Sequence, residues 1–496
     1  MKLINKIFLN SCRSALKKID FWKSKPLEVQ NKVLKSLIVG GTDTYFGRQH
    51  TFNDIKDITD FQLHIPIRNH EAFAPYIERV MSGEDNVLWE EHTRYCANDA
   101  ANEKSKERFF PITPSNLADC HYRGLKMMLA TYIKNNPESK ILDGKTVTLT
   151  LTGAPELKGK VFFGDLQAIM VENAPFISEH FVAPSKKVSL SSDLEEKIQS
   201  ICKEYSNKKV TMLAGNPAVN LKLIEDLLKY GNSHYLSDVW PDVELCIQDA
   251  SYSFLKEKYA EITKAKEIGY LKTYGSAAGF YAFQDNLEDE GMLLVLDNGI
   301  FYEFIPLNDL DAAISGDKDY HALTIGEVAT SVQYAMVIST NSGLWRYLTE
   351  DVVEFTSVTP HKIVLKGNVK DARESVKKQA VSHSDKKDVA AKVVEAERVA
   401  EEIVAEEMAA KVVVAKVALE DAAAVAMGTT TKDTQEDAAA VTAAEAEKPA
   451  ETGNPAEEVK TTEAEKPAKK RGRISKKAKS ANDDDKSVGD FFGELF

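Results

Sequence analysis

The segment YAMVISTNSGLWRYL, residues 334–348, begins with a run of aliphatic and β-branched residues that predicts a strand from Tyr334 to Ser339. Similar runs predict strands at Thr146 to Leu151, Val210 to Leu213 and Met292 to Leu296. Helical periodicity covers Pro26 to Val39 and Asn116 to Asn135, and the second pattern follows a Thr113-Pro114-Ser115 capping signal. Helices and strands therefore alternate, which predicts a layered α/β body over residues 1–366.

The composition of the chain is that of an ordinary globular protein. At 496 residues it is long enough for two or three domains. The formal net charge of −13 argues against general affinity for nucleic acid, because the phosphate backbone would be repelled. No apolar run is long enough to span a bilayer, and the N-terminus predicts a docked amphipathic helix rather than a signal peptide.

The five cysteines are scattered, and none are spaced for a metal site or a redox dithiol. They are Cys12, Cys96, Cys120, Cys202 and Cys246. Reduced thiols and a cytoplasmic location are therefore expected.

The composition changes after Lys370, where aromatic residues and prolines give way to Ala, Val, Glu and Lys. We expect a linker over 367–382, a helix over 383–428 and a disordered tail over 429–496. Packing against a partner helix and full solvation both remain open for the helix.

Two features of the tail suggest partners. A basic block over 466–479 either contacts the minor groove of nucleic acid through its Arg-Gly-Arg or is a solubilising or membrane-attracted run. Its residues include Lys469, Lys470, Arg471, Arg473, Lys476 and Lys477. The terminal peptide 489–496 either docks into a protein partner or packs on the chain itself. Its apolar residues are Phe491, Phe492, Leu495 and Phe496.

Several long segments of the body resemble one known family. They are TDTYFGRQHTF (42–52), FQLHIPIRNHEAFAPYIERVMSGE (61–84), FGDLQAIM (163–170), MLLVLDNGIFYEFIP (292–306) and YAMVISTNSGLWRYL (334–348). The chain is similar to the acyl acid amido synthetases of the plant auxin-responsive Gretchen Hagen group and their bacterial relatives, within the luciferase-like adenylating superfamily. The resemblance implies an adenylating-enzyme fold, a small carboxylic acid as substrate, and ATP and Mg²⁺ as cofactors.

The family's phosphate loop, close to S-S-G-T-T, is matched by residues 97–101, where Asn98 replaces a hydroxyl-bearing residue and Asp99 replaces the glycine. A carboxylate at Asp99 would repel a triphosphate. Lys104 is kept in the adjoining turn, where it would contact phosphate or lie on a solvated face.

The family's metal-and-adenine motif, close to Y-x-A-S-E-G-F, is matched by residues 274–280. Tyr274 would stack on adenine, Ser276 and Ala277 would line the nucleotide, and Ala278 stands where the Mg²⁺-binding Glu is expected. A methyl group cannot ligate Mg²⁺. Asp351 would bind the ribose hydroxyls or serve as an ordinary strand-end acid.

Three further departures accompany these. Glu350 replaces a glycine, Gln248-Asp249-Ala250 replaces a glycine-rich turn, and Asn368 replaces the hinge arginine. The Ala-rich helix follows where the family carries its C-terminal cap. These losses predict a catalytically impaired protein that binds a ligand or acts as a scaffold, and the alternative is an active ligase with an altered phosphate loop.

Overall fold

Two β-sheets and their flanking helices form the part of the chain that the computed structural model describes, residues 2–98, 108–249, 253–315 and 320–375. Within these residues the helices are α1 (Leu3–Ser11), α2 (Arg13–Ser24), α3 (Pro26–Gly41), α4 (Tyr45–Gln49), α5 (Ile58–His64), α6 (His70–Met81), α7 (Arg123–Asn135), α8 (Leu166–Asn173), α9 (Lys186–Ser189), α10 (Leu194–Tyr205), α11 (Pro217–Tyr230), α12 (Leu236–Val239), α13 (Lys256–Thr263) and α14 (Leu310–Ser315). The strands are β1 (Tyr95–Asn98), β2 (Phe109–Ile112), β3 (Lys145–Thr148), β4 (Glu156–Lys158), β5 (Val161–Asp165), β6 (Val182–Ala183), β7 (Val210–Ala214), β8 (Leu245–Gln248), β9 (Gly269–Ser276), β10 (Gly279–Phe283), β11 (Met292–Leu294), β12 (Ile300–Pro306), β13 (Gln333–Thr340), β14 (Tyr347–Val358) and β15 (His361–Asn368).

The larger sheet has the order β12-β13-β14-β15-β11-β10-β9-β8-β7-β3-β6. From β6 to β9 its strands are parallel, and from β9 to β12 they are antiparallel. The smaller sheet has the order β2-β1-β5-β4, and its β1–β2 pair is antiparallel. This architecture confirms the predicted layered α/β fold.

The two helices predicted from periodicity are present. The first is α3, and its Pro26 occupies the start, where a missing backbone N–H costs nothing. The second begins with π-helical turns at Asn116–Tyr122 and continues as α7. The capping signal acts as expected, because the Asn116 backbone N–H donates to Thr113 Oγ1 at 3.1 Å.

The N-terminal segment docks as predicted, but as two helices, α1 and α2, which meet at Cys12. Phe8 and Trp22 are buried in the main core. Gln30 on α3 donates to the backbone oxygens of Leu296 and Ile300 at 2.9 Å each. These contacts fasten the N-terminal helices to the antiparallel half of the large sheet.

A buried ion pair fixes the segment 334–348 in the fold. Arg346 Nε lies 2.9 Å from Glu303 Oε2, and both side chains are almost fully buried. Its Nη1 donates to the carbonyl oxygens of Gln62 and Ile65 at 2.9 and 2.7 Å. Arg346 therefore has a structural role between α5, β12 and β14.

All five cysteines lie buried as free thiols. None of the helices in the described residues is long and apolar enough to cross a membrane. The strand β15 runs to Asn368, so the first residues of the expected linker continue the sheet. The predicted helix 383–428, the tail, its basic block and its terminal peptide lie outside the described residues, and these domain boundaries stay predictions.

Candidate functional site

A cavity of about 580 Å³ lies on one face of the parallel strands. Because side chains alternate along a strand, Thr146 and Thr148 of β3 line the cavity while Val147 between them packs into the core on the other face. Met212 of β7 and Ile247 of β8 continue the same wall. The cavity therefore uses one whole face of the parallel half of the sheet.

Two helices cover this face of the sheet. The helix α7 contributes Leu125, Met128 and Leu129, and α8 contributes Met170 and Val171. Most of the wall is apolar. A cavity of this size and character is typical of a site for a small organic molecule.

Several polar groups at the cavity are already bonded within the protein. Asp165 Oδ1 accepts from the backbone N–H groups of Gln167 and Ala168 at 2.8 and 3.2 Å, which caps α8. The Thr150 hydroxyl donates to the Ser189 carbonyl at 2.5 Å and accepts from Lys197 Nζ at 2.9 Å. These groups stabilise the walls of the cavity.

Other polar groups have no partner in the part of the chain that the structure describes. The Thr146 and Thr148 hydroxyls make no hydrogen bond to any described residue. Both residues are half-buried at the cavity wall. His121, from the π-helical turns, is 3% exposed, and its Nε2 has no hydrogen-bond partner among described residues. Burial lowers the pKa of His121 to about 4, so the ring is neutral at pH 7.

Two of the predicted nucleotide residues meet each other. Tyr274, on β9, donates its hydroxyl to Asp351 Oδ2 on β14 at 2.8 Å. The Tyr274 side chain is 5% exposed, and its ring packs against Tyr281 with 4.9 Å between centroids. Burial raises the pKa of Asp351, and the hydrogen bond from Tyr274 opposes that rise. Tyr274 is thus closed to a stacking base here, and Asp351 is bonded internally.

The next predicted residues form the turn between β9 and β10. Ser276 lines the cavity, but its hydroxyl pairs with the Tyr281 hydroxyl at 2.8 Å and accepts from the Ala278 N–H at 3.1 Å. Ala277 and Ala278 are packed in the main core, with Ala278 1% exposed. The position where the resemblance expects a metal-binding carboxylate is therefore a buried methyl group.

The predicted phosphate loop is described only at its ends. Asn98 ends β1 and pairs with Phe109 of β2, and its buried Oδ1 has no hydrogen-bond partner among described residues. Asp99 and Lys104 lie outside the described residues. Arg108, at the other end of the loop, forms an ion pair with Glu350. No group of three or more potential metal ligands was found among the described residues.

The structure thus joins Tyr274 to Asp351 by a hydrogen bond and links Ser276 to Tyr274 through Tyr281, and of the three predicted residues it is Ser276 that lines the cavity. The cavity residues of β3 and α7 were not predicted as functional. One signal was present in the sequence, because Thr146, Thr148 and Thr150 alternate with apolar residues in a parallel strand. Parallel strands are usually apolar on both faces, so the alternation indicated a face that is not packed.

Comparison with known proteins agrees with this architecture. The GH3 family N-terminal domain matches residues 15–267, and the GH3 family central domain matches residues 293–366. The chain belongs to the GH3 family. This confirms the resemblance to the Gretchen Hagen amido synthetases that the segments predicted.

Two relatives of this GH3 protein come from Arabidopsis thaliana. The indole-3-acetic acid-amido synthetase GH3.2 is 22% identical over 431 residues, which cover 72% of this chain and 76% of the relative. GH3.9, also named for indole-3-acetic acid-amido synthetase activity, is 23% identical over 418 residues, 69% of each chain. The solved structure of the GH3.15 acyl acid amido synthetase matches with a TM-score of 0.59 at 14% identity, over 72% of this chain and 70% of that one. At this identity the structural match shows the shared fold.

Proposed function

We propose that this GH3 protein binds a small apolar carboxylic acid without converting it to an adenylate. The observation that carries the proposal is the β9–β10 turn. On one side it borders a cavity of about 580 Å³ through Ser276, and on the other it buries Ala277 and Ala278 in the core. The acid site is open, while the adjoining position expected to hold a metal is filled by packed methyl groups.

The described residues at the family-matched positions do not fit ATP and Mg²⁺, the cofactors that the resemblance implies. Mg²⁺ is held by oxygen ligands, and Ala278 offers none. Asp351 already accepts from Tyr274, whose ring is buried. Stacking a base on Tyr274 would require exposing a ring that is packed in the core. We therefore derive no adenylation step for this chain.

The acid itself is supported by the cavity and by the relatives. GH3.2 is named as an indole-3-acetic acid-amido synthetase. The ligand class that we propose for this chain is therefore a carboxylic acid. The ligase reaction itself belongs to the competing proposal. The apolar surfaces of α7 and α8 would hold the body of the acid, since removing apolar area from water is the main source of affinity in such sites.

The competing proposal is an active ligase with an altered phosphate loop. The observation in its favour is the pairing of β1 with β2, in which Asn98 before the loop lies opposite Phe109 after it. Arg108, which pairs with Glu350, comes directly before β2. A frame for a phosphate-binding loop is therefore retained. Lys104 in that loop would then contact phosphate.

One experiment separates the two proposals. The full-length chain is titrated by calorimetry with a panel of aromatic and aliphatic carboxylic acids, with and without ATP and Mg²⁺, and acid-dependent exchange of pyrophosphate is measured in parallel. We expect acid binding that needs no nucleotide, and no exchange. Acid-dependent exchange would establish the active ligase instead, and absence of acid binding in every condition would refute both.

A separate proposal concerns the tail: the peptide 489–496 docks into a protein partner, and the basic block 466–479 contacts nucleic acid. Three Phe and one Leu at the chain end are costly to leave in water, which supports docking. Removing residues 489–496 should abolish co-purification of the partner, and an unchanged set of partners would contradict the proposal. Nucleic-acid binding is tested by replacing Arg471 and Arg473 with alanine and measuring the salt dependence of affinity.

A further inference from the structure

We infer that the cavity holds an elongated aliphatic monocarboxylate, with its carboxylate at Lys186 beside β6 and its chain running across the parallel strands toward β9. This inference rests on the proposed function, because it specifies the ligand and its orientation in the same cavity.

The charges favour one end of the cavity. Among the described residues that line it, Lys186 is the only lysine or arginine. Asp249 follows β8 and lines the cavity near β9, where it would repel a carboxylate. Glu179 lies on the Lys186 side, and its Oε1 accepts from the Lys186 backbone N–H at 3.3 Å. Lys145, which lies behind the cavity wall, donates its Nζ to the Glu179 carbonyl oxygen at 2.8 Å, and its charge offsets that of Glu179.

Lys186 can accept a further partner. It is the first residue of α9, its side chain is 37% exposed, and its Nζ donates to the Glu172 carbonyl oxygen and lies 3.9 Å from the Glu172 carboxylate. An ammonium group has three N–H donors, so at least one can turn to a ligand.

Two threonine hydroxyls lie on β3, the strand beside β6. In the sheet β3 pairs with β6, with Thr146 opposite Val182, and Thr146 and Thr148 face the cavity without a hydrogen-bond partner among described residues. Lys186 follows β6 by three residues. Lys186 at the start of α9 and two β3 hydroxyls without a partner among the described residues therefore come from neighbouring segments at one side of the cavity, and such a set can bind a carboxylate.

The opposite end offers the ligand no positive charge among the described residues. The Ser276 hydroxyl is taken by Tyr281 and by the Ala278 N–H, and the amide of Gln248 is a neutral group. Four strand spacings separate β6 from β9, which is about 19 Å at the usual spacing of roughly 4.8 Å. A carboxylate held at Lys186 is thus far from the turn that the family resemblance assigns to the nucleotide, so the bound acid stays unactivated.

The wall between the two ends suits a flexible chain. Met128, Met170 and Met212 line it together with leucines of α7. Methionine side chains adapt their shape to a ligand, unlike the rigid walls of a slot for one aromatic ring. The length of the cavity across five strands and its adaptable wall point to an unbranched aliphatic chain rather than a compact aromatic acid.

The test compares dodecanoate with dodecanol by calorimetry on the full-length chain. Dodecanol has the same chain but lacks the carboxylate. Lys186→Met should weaken dodecanoate binding by about tenfold or more, since a hydrogen bond to a charged group exceeds one tenfold step. Dodecanol binding should stay unchanged. The matched control is Lys187→Met, which alters the exposed neighbouring lysine and should affect neither ligand.

Each outcome of these measurements either supports or overturns the inference. Equal dodecanoate binding by wild type and Lys186→Met overturns the orientation, and tighter binding of indole-3-acetate than of dodecanoate overturns the aliphatic class. If Lys186→Met also fails to bind dodecanol, two other variants are tested in its place. The inference then requires that Lys186→Arg still binds dodecanoate and that Thr148→Val binds it several-fold more weakly. Failure of the wild type to bind any acid would instead overturn the proposed function.

Discussion

Replacing His121 with leucine should remove a loss of stability that the wild-type protein shows between pH 7.5 and 4.5. His121 is 3% exposed, and burial lowers its pKa to about 4. In the unfolded chain a histidine has a pKa of about 6.5. Between these two values the unfolded state binds more protons than the folded state, so the free energy of unfolding falls as the pH falls.

The size of the effect follows from the two pKa values. At pH 4.5 the unfolded imidazole is almost fully protonated while the folded one is mostly neutral. The protonation equilibria then reduce the free energy of unfolding by about 2.5 kcal/mol relative to pH 7.5, at about 1.4 kcal/mol for each pKa unit. Burial is the cause of the lowered pKa, and Nε2 has no hydrogen-bond partner among the described residues that would offset this cost.

The assay is urea unfolding of wild type and His121→Leu at both pH values. Carboxylates also titrate in this range, but they contribute equally to both proteins and cancel in the difference. The stability of His121→Leu relative to wild type should therefore rise by about 2.5 kcal/mol on going from pH 7.5 to 4.5. Replacing the exposed His234 with glutamine is the control and should leave the wild-type dependence unchanged. A difference between His121→Leu and wild type that does not vary with pH would refute the reasoning.

Three other perturbations follow from contacts described above. Arg346→Met should lower the free energy of unfolding by about 3–5 kcal/mol, because it leaves Glu303 charged and buried; a urea midpoint like that of wild type would contradict the ion pair. Ala278→Glu should lower the melting temperature, since it places a carboxylate in the core, and added Mg²⁺ should not restore it; recovery with Mg²⁺ would reveal a metal site. Tyr274→Phe should raise the pKa of Asp351 further by removing its hydrogen-bond donor, and a carboxyl NMR titration showing no rise would place the donor elsewhere.

Much of the fold could be predicted from local patterns. The strand run from Tyr334 to Ser339 lies within β13, and the start of α3 at Pro26 follows from proline chemistry alone. The strand predicted to Leu151 ends at Thr148, because Thr150 bonds to the Ser189 carbonyl outside the sheet. A distant partner set this boundary, and no local pattern contains that information. The π-helical turns before α7 could not be predicted either, because apolar periodicity does not distinguish π-helical from α-helical turns.

The candidate site was predictable in part. Motif matching found Tyr274 and Asp351, but it could not show that they bond to each other, since 77 positions separate them and β14 brings them together. The threonines of β3 carried a usable signal in their alternation. Lys186 carried none, because a single lysine after a short edge strand resembles any other surface lysine until the cavity beside it is known.

The strand order has a consequence for how the chain acquires its shape during translation. The strand β11 pairs with β15, so Met292 lies opposite Ile363, about 70 residues later in the chain. At roughly 5–20 residues per second, a ribosome needs several seconds to deliver that partner. In that interval the growing polypeptide carries an open, fully apolar β11 edge, the kind of edge on which neighbouring chains associate. A chaperone that shields this edge until β15 emerges would therefore raise the yield of correctly assembled protein.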